Sequence, residues 1–429
     1  MSFWFSLPLS TLLIFPRSSR LQIQMQIFYL LLFYVLFGLR FIVLIRLGLE
    51  VNLGRVVQSI ETLKSTFFLF SLGTFLIIFT SSLLLQHFNI PRNVTENFDA
   101  WLDSKSSKSL FLLFFLLSFF GFSLMFLQLG SFPAMFNTFF FHQKQGFEGL
   151  NSFNIGVTLW STFSIPALVI TIMRFAKRPK FVELLALGLL LAPMLFIFGS
   201  RLSLFVSIVA SFYLLSLTNY GFRAAHLFSA LVIFISASLP ILARREVRTS
   251  LGTLLEIVSD KLSYPVIDAT TILYANPEVM RVQVLSLHRI FALFSSLVPR
   301  FIWPNKPSLD NSLLDNTMAR NFGFDIQAQK SGWPTGFITE GFAIAGNLGV
   351  IVSAVAIGVI AYFLLRIQSN SFQFRPEFYF VKSYVIVFFL IAVYKDGDSL
   401  ASFVGSLKTA VWLSFTIAFM RFLTRQREQ

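Results

Sequence analysis

Long apolar runs recur along most of the chain, and one polar stretch, residues 244–340, interrupts them. Each run holds ~20 residues, the length that an α-helix needs to cross a ~30 Å hydrocarbon core. Because backbone N–H and C=O groups find no water in lipid, such runs are helices rather than strands. The pattern predicts ten spans, which are residues 27–45, 66–86, 110–129, 155–175, 181–199, 202–217, 225–243, 342–365, 378–393 and 403–422.

Residues 3–16 are also apolar, but they lack the basic start and the small-residue cleavage site of a signal peptide. We interpret them as an interfacial segment or as an eleventh span. The predicted fold class is therefore all-α, a polytopic integral membrane protein with ten or eleven transmembrane helices. Its single membrane domain comprises N-terminal helices in residues 1–243, a large external loop in residues 244–340 and C-terminal helices in residues 341–429.

The composition agrees with a membrane protein. Apolar residues make up 55% of the chain and charged residues 13%, and the mean hydropathy of +0.74 is typical of polytopic helical proteins. The net charge of +14 raises the question of nucleic-acid binding. The basic residues are scattered between apolar spans, however, and form no continuous stripe with interleaved aromatic side chains. We therefore expect a lipid bilayer, and no nucleic acid, as a partner.

The chain has no cysteine and four dispersed histidines, which excludes disulfides, thiol catalysis and Cys-based metal sites. None of the histidines has a metal-ligand spacing such as HExxH. The sequence also lacks a P-loop, a GxSxG motif and a Gly-rich dinucleotide turn. We expect no cofactor and no metal site.

Basic residues in short connections predict which ends of the spans face the cytoplasm. They fall in four connections that alternate consistently along the chain, and these are residues 174–180, 223, 366–375 and 421–427. The remaining connections, the large loop included, then face outward, which is the periplasm for a bacterial inner membrane.

The N-terminal third fits this orientation less well. Alternation puts residues 47–65 outside, although this stretch carries basic residues such as Lys64. It puts residues 87–109 inside, although three acidic residues lie between positions 96 and 103. The charges of these two connections therefore conflict with the orientation that alternation assigns to the first two spans.

The external loop is the polar stretch in which we look for a site. It carries ten basic and nine acidic residues, a balance in which pairing within the loop explains most of the charges. Arg244, Arg245 and Arg248 follow the seventh span at the lipid–water boundary, and the spacing of the first and last puts them on one helical face. Their guanidinium groups suit a diphosphate headgroup, and interfacial snorkelling is the alternative explanation.

Further candidates lie on the same predicted outer side of the membrane. Arg201 is in the turn FGSR between two closely spaced spans, where a charge is costly unless it faces protein or water. In the segment VPRFIWPNKP, prolines prevent a continuous helix and hold Arg300 and Lys306 on a stiff frame. Trp303 of this segment could stack on a sugar face or lie in the interfacial aromatic belt.

Two acidic candidates complete the set. Glu340 precedes the eighth span in TGFITEGF and is the best-placed carboxylate for proton transfer, with a charge at a helix terminus as the alternative. Asp396 and Asp398 lie in KDGDS between the last two spans. They could bind a cation or a sugar hydroxyl, or cap a helix.

Three short segments and the external loop resemble the O-antigen polymerase (Wzy-type) family of oligosaccharide repeat-unit polymerases. The segments are FGSRLSLF at 198–205, PRFIWPNKP at 299–307 and TEGFAIAGNLGVI at 339–351. The last one is similar to that family's carboxylate followed by an Asn-Leu/Phe-Gly start of a helix. In layout the resemblance covers residues 110–425.

The resemblance implies a GT-C-like, metal-independent glycosyltransferase in the bacterial inner membrane. Such an enzyme moves a growing glycan from one undecaprenyl-diphosphate carrier to a new lipid-linked repeat unit, and builds a surface polysaccharide such as the O-antigen of lipopolysaccharide. The resemblance implies a role for external-loop arginines, which correspond here to Arg244, Arg245, Arg248, Arg300 and Arg201. With the candidates argued above from their chemistry, the predicted catalytic residues are Arg244, Arg248, Arg300 and Glu340. The predicted substrate-binding residues are Arg201, Arg245, Trp303, Lys306 and Asp396. A chain-length regulator and a flippase of the same pathway are implied as protein partners.

Two other functions fit parts of the pattern. An O-antigen ligase would share the layout but transfer the glycan to lipid A-core. A lipid-linked oligosaccharide transporter (flippase) should show repeated halves and ionisable residues deep within several spans. Charge within the spans is sparse after Arg40 and no repeat is clear, so the one-sided loop favours an enzyme.

Overall fold

The computed structural model is helical apart from one short hairpin in the residues that it describes. Those residues are 6–15, 20–38, 41–42, 51–53, 56–58, 60–86, 92–135, 151–194, 201–216, 274, 291, 294–295, 297–298, 303, 336–370, 376–395 and 399–426. Most of the predicted external loop and the predicted span 225–243 lie outside them.

The elements are numbered here in chain order. The helices are α1 (Ser10–Ile14), α2 (Arg20–Phe33, continued by a π-helical turn over Tyr34–Gly38), α3 (Ile60–Leu85), α4 (Arg92–Asp103), α5 (Lys105–Leu129), α6 (Asn151–Lys177), α7 (Phe181–Ala192), α8 (Arg201–Ser216), α9 (Gly336–Asn370), α10 (Pro376–Lys395) and α11 (Ser399–Gln426). The strands β1 (Val51–Leu53) and β2 (Val56–Gln58) precede α3 and pair antiparallel, with Asn52 opposite Val57.

Five helices are long and apolar enough to cross a membrane, and they indicate a membrane protein. They are Glu61–Leu85, Lys105–Leu129, Ile155–Lys177, Phe337–Arg366 and Pro376–Tyr394. Each covers one of the predicted spans. Three shorter apolar helices, Phe181–Ala192, Val206–Leu215 and Phe403–Phe419, fall on three more.

The apolar faces of these helices divide between the protein interior and the outside. In α10 78% of the apolar window is buried, whereas in α5 only 28% is buried. The exposed positions of α5 are themselves apolar, for example Leu112, Leu116 and Phe120. A helix that is apolar all round yet packed on one side suits contact with lipid on the other side. α10 is therefore central in the bundle and α5 peripheral.

α5 and α6 pack at a close approach between two glycines. A Cβ atom on Gly121 would lie 2.7 Å from the carbonyl oxygen of Gly156, and a Cβ on Gly156 would lie 2.7 Å from that of Gly121. Such small residues let helix backbones approach in a membrane, where packing rather than the hydrophobic effect drives association. Phe122 next to Trp160 (5.5 Å) and Phe114 next to Phe163 (5.7 Å) show that the two helices run antiparallel.

Charged pairs gather at one end of the bundle, where α5 and α10 begin and where α6 and α11 end. We call this the basic end. Arg421 Nη2 lies 2.7 Å from Glu377 Oε2, and Ser106 donates a hydrogen bond to the other oxygen of that carboxylate. Lys177 Nζ lies 2.7 Å from Asp99 Oδ1. Three of the four basic connections predicted from the sequence adjoin this end.

The amphipathic helix α4 lies across the basic end. Its aromatic side chains pack on α10, with Phe98 against Tyr379 and Trp101 against Phe380. Its acidic side chains face the end of α6, where Lys177 pairs with Asp99 and with Asp103. Two of the three acidic residues that did not suit an inward connection, Asp99 and Asp103, therefore neutralise basic residues of a neighbouring connection at the same end.

The opposite end of the bundle holds the β-hairpin, the start of α3 and the residues that follow α2. Phe41 stacks on Phe67 with ring centroids 3.7 Å apart. Deeper in the interior, Thr74 and Tyr394 share a hydrogen bond of 2.6 Å between their hydroxyl oxygens. Phe337, near the start of α9, packs against Tyr394. α9 therefore begins near the opposite end, on the face of α3.

Candidate functional site

Three of the nine predicted site residues fall in the described part of the chain. Arg201 is the first residue of α8, and its side chain lies outside the described side chains. Trp303 and Glu340 are described with their side chains. The other six lie outside the described residues, and they are Arg244, Arg245, Arg248, Arg300, Lys306 and Asp396.

Trp303 presents an exposed aromatic surface. Its side chain is 38% exposed, and its ring contacts Phe291 edge to face, with centroids 6.3 Å apart. An edge-to-face contact supports one side of an indole and leaves a ring face open. Both of the predicted roles, stacking on a sugar and membrane-interface anchoring, remain compatible with this position.

Glu340 lies five residues before a break in α9. The helix is interrupted at Ala345 (φ −146°, ψ 28°) and Gly346 (φ 59°, ψ −143°). A positive φ with this ψ is accessible almost only to glycine, because a Cβ would collide with the backbone. Gly346, the first glycine of the segment AIAGNLG, thus permits the interruption. Glu340 itself is half-buried.

Two further glycines let the parts of α9 on either side of the break touch. A Cβ on Gly341 would lie 2.6 Å from the carbonyl oxygen of Gly349, and a Cβ on Gly349 would collide with the backbone of Gly341. Residues eight apart in a continuous helix are separated by ~12 Å along its axis. The first segment of α9 therefore folds back against the second, as in a re-entrant turn.

A cleft of about 360 Å³ lies beside this break, toward the opposite end of the bundle. Its polar lining residues are Lys64 and Ser65 from the start of α3, Asn347 just after the break, and Tyr274 from the external loop. Aromatic side chains, including Phe67 and Phe68, form much of the remaining wall. Glu340 is on the same broken helix but is not among the lining residues.

Tyr274, from the predicted external loop, contacts the first segment of α9. Its ring stacks on Phe342 with centroids 5.4 Å apart and an angle of 20° between the planes. Phe342 is itself buried, so this contact holds a loop residue at the wall of the cleft. One part of the loop that the sequence singled out thus lies against the TEGFAIAGNLG segment.

The cleft combines a cationic group, polar groups and an aromatic wall. The ammonium group of exposed Lys64 can pair with a phosphate, and the amide of Asn347 can exchange hydrogen bonds with hydroxyl groups. Backbone at membrane depth that departs from a helix is tolerated where it lines a protein cavity. Among the described residues, no group of three or more His, Asp and Glu side chains could hold a metal ion.

Sequence reasoning missed Lys64 and Asn347 as site residues. Lys64 drew attention only as a charge in an outward connection, and Asn347 only as part of the resemblance. A signal for Lys64 was available, because a basic residue in a connection predicted to face outward departs from the usual distribution of charge. No pattern in the sequence indicates that Tyr274 and Asn347 line the same cleft, since 73 positions separate them.

Two lysines inside the last two spans also went unnoticed. Lys382 and Lys408 are both half-buried, in α10 and α11. Lys408 lies nine residues after the start of α11, ~13 Å along the helix axis. Charge within the spans is therefore less sparse than we expected, and an intramembrane ionisable residue is a functional candidate by default.

Comparison of the chain with protein-family models, with characterised proteins and with solved structures finds no significant match.

Proposed function

We propose that the protein is a membrane glycosyltransferase that polymerises undecaprenyl-diphosphate-linked oligosaccharide repeat units on the outer face of a bacterial inner membrane. The observation that carries this proposal is the broken helix α9. Its interruption falls in TEGFAIAGNLGVI, the segment most similar to the polymerase family, and adjoins a cleft lined by Lys64, Tyr274 and Asn347.

The position of the cleft supports a lipid-linked donor. It opens near the end of the bundle opposite the basic end, which the charge rule assigns to the outside. Nucleotide sugars do not occur on that side of the membrane, so an activated sugar must arrive on a lipid. A cleft with an aromatic wall and a cation at its rim matches a substrate that has an isoprenoid tail and a diphosphate.

The chemistry divides between leaving group and acceptor. When the glycosidic bond to the carrier breaks, negative charge develops on the leaving diphosphate, and fixed cations stabilise it. Arg244, Arg248 and Arg300 are proposed for this role, with Lys64 as a further cation at the cleft. Glu340 is proposed as the general base that takes the proton of the acceptor hydroxyl.

Sugar binding is assigned to aromatic and amide groups. Trp303 exposes its indole, and Tyr274 and Asn347 line the cleft. Flat aromatic faces pack on the apolar face of a sugar ring while amides bond its hydroxyls. Arg201, Arg245, Lys306 and Asp396 complete the proposed substrate-binding set. A ligase that transfers the finished glycan to lipid A-core would use the same groups.

A transporter of lipid-linked oligosaccharides is the second candidate, and two observations favour it. Discontinuous helices form the substrate sites of many transporters, and α9 is discontinuous. Lys408 adds an ionisable group within a span. The enzyme remains the first choice because of the resemblance in three segments and the large one-sided loop.

A deletion strain distinguishes these functions through its surface glycan on a gel. Loss of a polymerase leaves lipid A-core capped by one repeat unit. Loss of a ligase leaves bare core with lipid-linked polymer accumulating, and loss of a transporter leaves bare core with repeat units trapped inside. A normal long-chain ladder, in a strain without a second copy of the function, would reject the polymerase.

A further inference from the structure

The basic end of the bundle has a cleft of its own, away from the site proposed above. It holds about 60 Å³ between the ends of α4, α5, α6 and α7. Five basic side chains line it, and they are Lys108, Arg174, Lys177, Arg178 and Lys180. Only two acidic side chains, Asp103 and Glu183, do so. The lining therefore carries a net charge of +3.

Ion pairs neutralise only part of this charge. Lys177 lies 2.7 Å from Asp99 and 3.0 Å from Asp103, Arg178 lies 3.6 Å from Asp103, and Arg174 lies 2.9 Å from Glu183. Lys108 and Lys180 are exposed and have no acidic partner in the described part of the chain. Arg174 Nη1 and Glu183 Oε2, the remaining polar atoms of the second pair, are both buried and make no hydrogen bond among the described residues, so this pair adds no net charge. The charge that an anion would neutralise is therefore that of Lys108 and Lys180.

An exposed apolar surface adjoins the cleft. α7 begins at its rim, directly after Lys180, and its first turns expose Phe181 (78%), Val182 (68%), Leu184 (53%) and Leu185 (53%). Glu183, on the same turn, is instead buried and faces Arg174. This arrangement puts a cationic cleft at the end of an apolar helix face.

We propose that this cleft binds one anionic phospholipid from the leaflet at the basic end, with the phosphate between Lys108 and Lys180 and the acyl chains along α7. A free anion would match the charge but not the exposed apolar face. Basic pockets between transmembrane helices are suited to anionic headgroups. The site is independent of the proposed glycan chemistry. The bound lipid would bridge α5 to α7 and so stabilise the fold.

The test uses the purified full-length protein in nanodiscs of phosphatidylcholine with increasing phosphatidylglycerol. Thermal unfolding at each lipid composition is followed by tryptophan fluorescence and gives a Tm. The mole fraction of phosphatidylglycerol at which the rise in Tm is half complete is the half-saturation point. We expect the Tm to rise and saturate in the wild-type protein. The double variant Lys108→Gln/Lys180→Gln should need roughly tenfold or more of the anionic lipid.

Lys105→Gln is the matched control. Lys105 is exposed on the same helix, one turn before Lys108, and does not line the cleft. Its variant should saturate like the wild-type protein. Equal weakening by Lys105→Gln and by Lys108→Gln alone would mean diffuse surface attraction and would overturn the site. The site would also be overturned if phosphatidylglycerol did not change the Tm. The same holds if millimolar inorganic phosphate raised the Tm of the protein in phosphatidylcholine as much as phosphatidylglycerol does.

Discussion

Gly346 is the residue on which the break in α9 depends, because its φ of 59° and ψ of −143° are open to almost no side chain other than hydrogen. Gly346→Ala should lower the free energy of unfolding by about 1–3 kcal/mol. It should also reduce polysaccharide synthesis more than protein level, because the chain would straighten or shift at the cleft. Thermal unfolding in detergent and a glycan gel measure the two effects.

Gly188→Ala is the control for that variant. Gly188 lies in α7 with helical backbone and open space around the position of a Cβ atom. Alanine there should be neutral or stabilising by ~0.5–1 kcal/mol. An equal loss of stability in both variants would mean that the conformation of Gly346 is not required.

Glu340→Gln tests the proposed general base. The amide keeps the size of the side chain but cannot accept a proton, so the rate of polymerisation should fall by roughly 10²–10⁴-fold. Glu61→Gln is the control, since Glu61 is an exposed acid near the start of α3. Normal chain length and rate in Glu340→Gln, at normal protein level, would remove Glu340 from the catalytic set.

The sequence offered most at the residue scale where a motif concentrated the signal. Glu340 was singled out in one short segment, and its role stays a prediction. Gly346 lies in the same segment, but the break that it permits was not predicted. Lys64 and Tyr274 lie in no such motif. They line the same cleft only because α3, the predicted external loop and the break in α9 pack together in the folded chain. A lysine at the start of a span looks the same whether it anchors the helix or lines a cleft.

At the scale of elements, the Gly121–Gly156 contact fixes the distance between α5 and α6. Gly121→Ala would put a Cβ 2.7–2.8 Å from three atoms of α6, two of them backbone atoms. Such overpacking should cost about 1–3 kcal/mol. Gly405→Ala, in α11 with nothing near its Cβ position, should cost little. Equal Tm values for the two variants would contradict the close approach.

Hydropathy predicted the long helices well because lipid imposes a length and an apolar composition that few other structures share. It predicted α4 and the break poorly, for two different reasons. α4 is short and amphipathic, so the sequence predicted only a charged connection between two spans there. The break in α9 follows from one glycine within an apolar run, and mean hydropathy does not change there.

At the scale of the whole molecule, the ion pairs bring together, at one end of the bundle, connections that the charge rule assigns to one side of the membrane. Lys177 and Arg421, from connections predicted to be cytoplasmic, both find their carboxylate partners at one end of the bundle. Those pairs were not used in predicting the topology, because they join segments far apart in sequence. The cleft beside the broken helix lies toward the other end.

Reporter fusions test this orientation directly. A periplasm-active reporter fused after Lys180 should be silent, because the basic residues of that connection stay in the cytoplasm. Fusions after Asn311 and after Gln58 should both be active, since the loop is predicted to face outward and the β-hairpin lies at the end of the bundle opposite the basic end. The Gln58 fusion also decides the orientation of the N-terminal third, where Lys64 conflicts with the charge rule. Activity after Lys180 with silence after Asn311 would put the cleft in the cytoplasm, where nucleotide sugars occur, and the argument for a lipid-linked donor would fail.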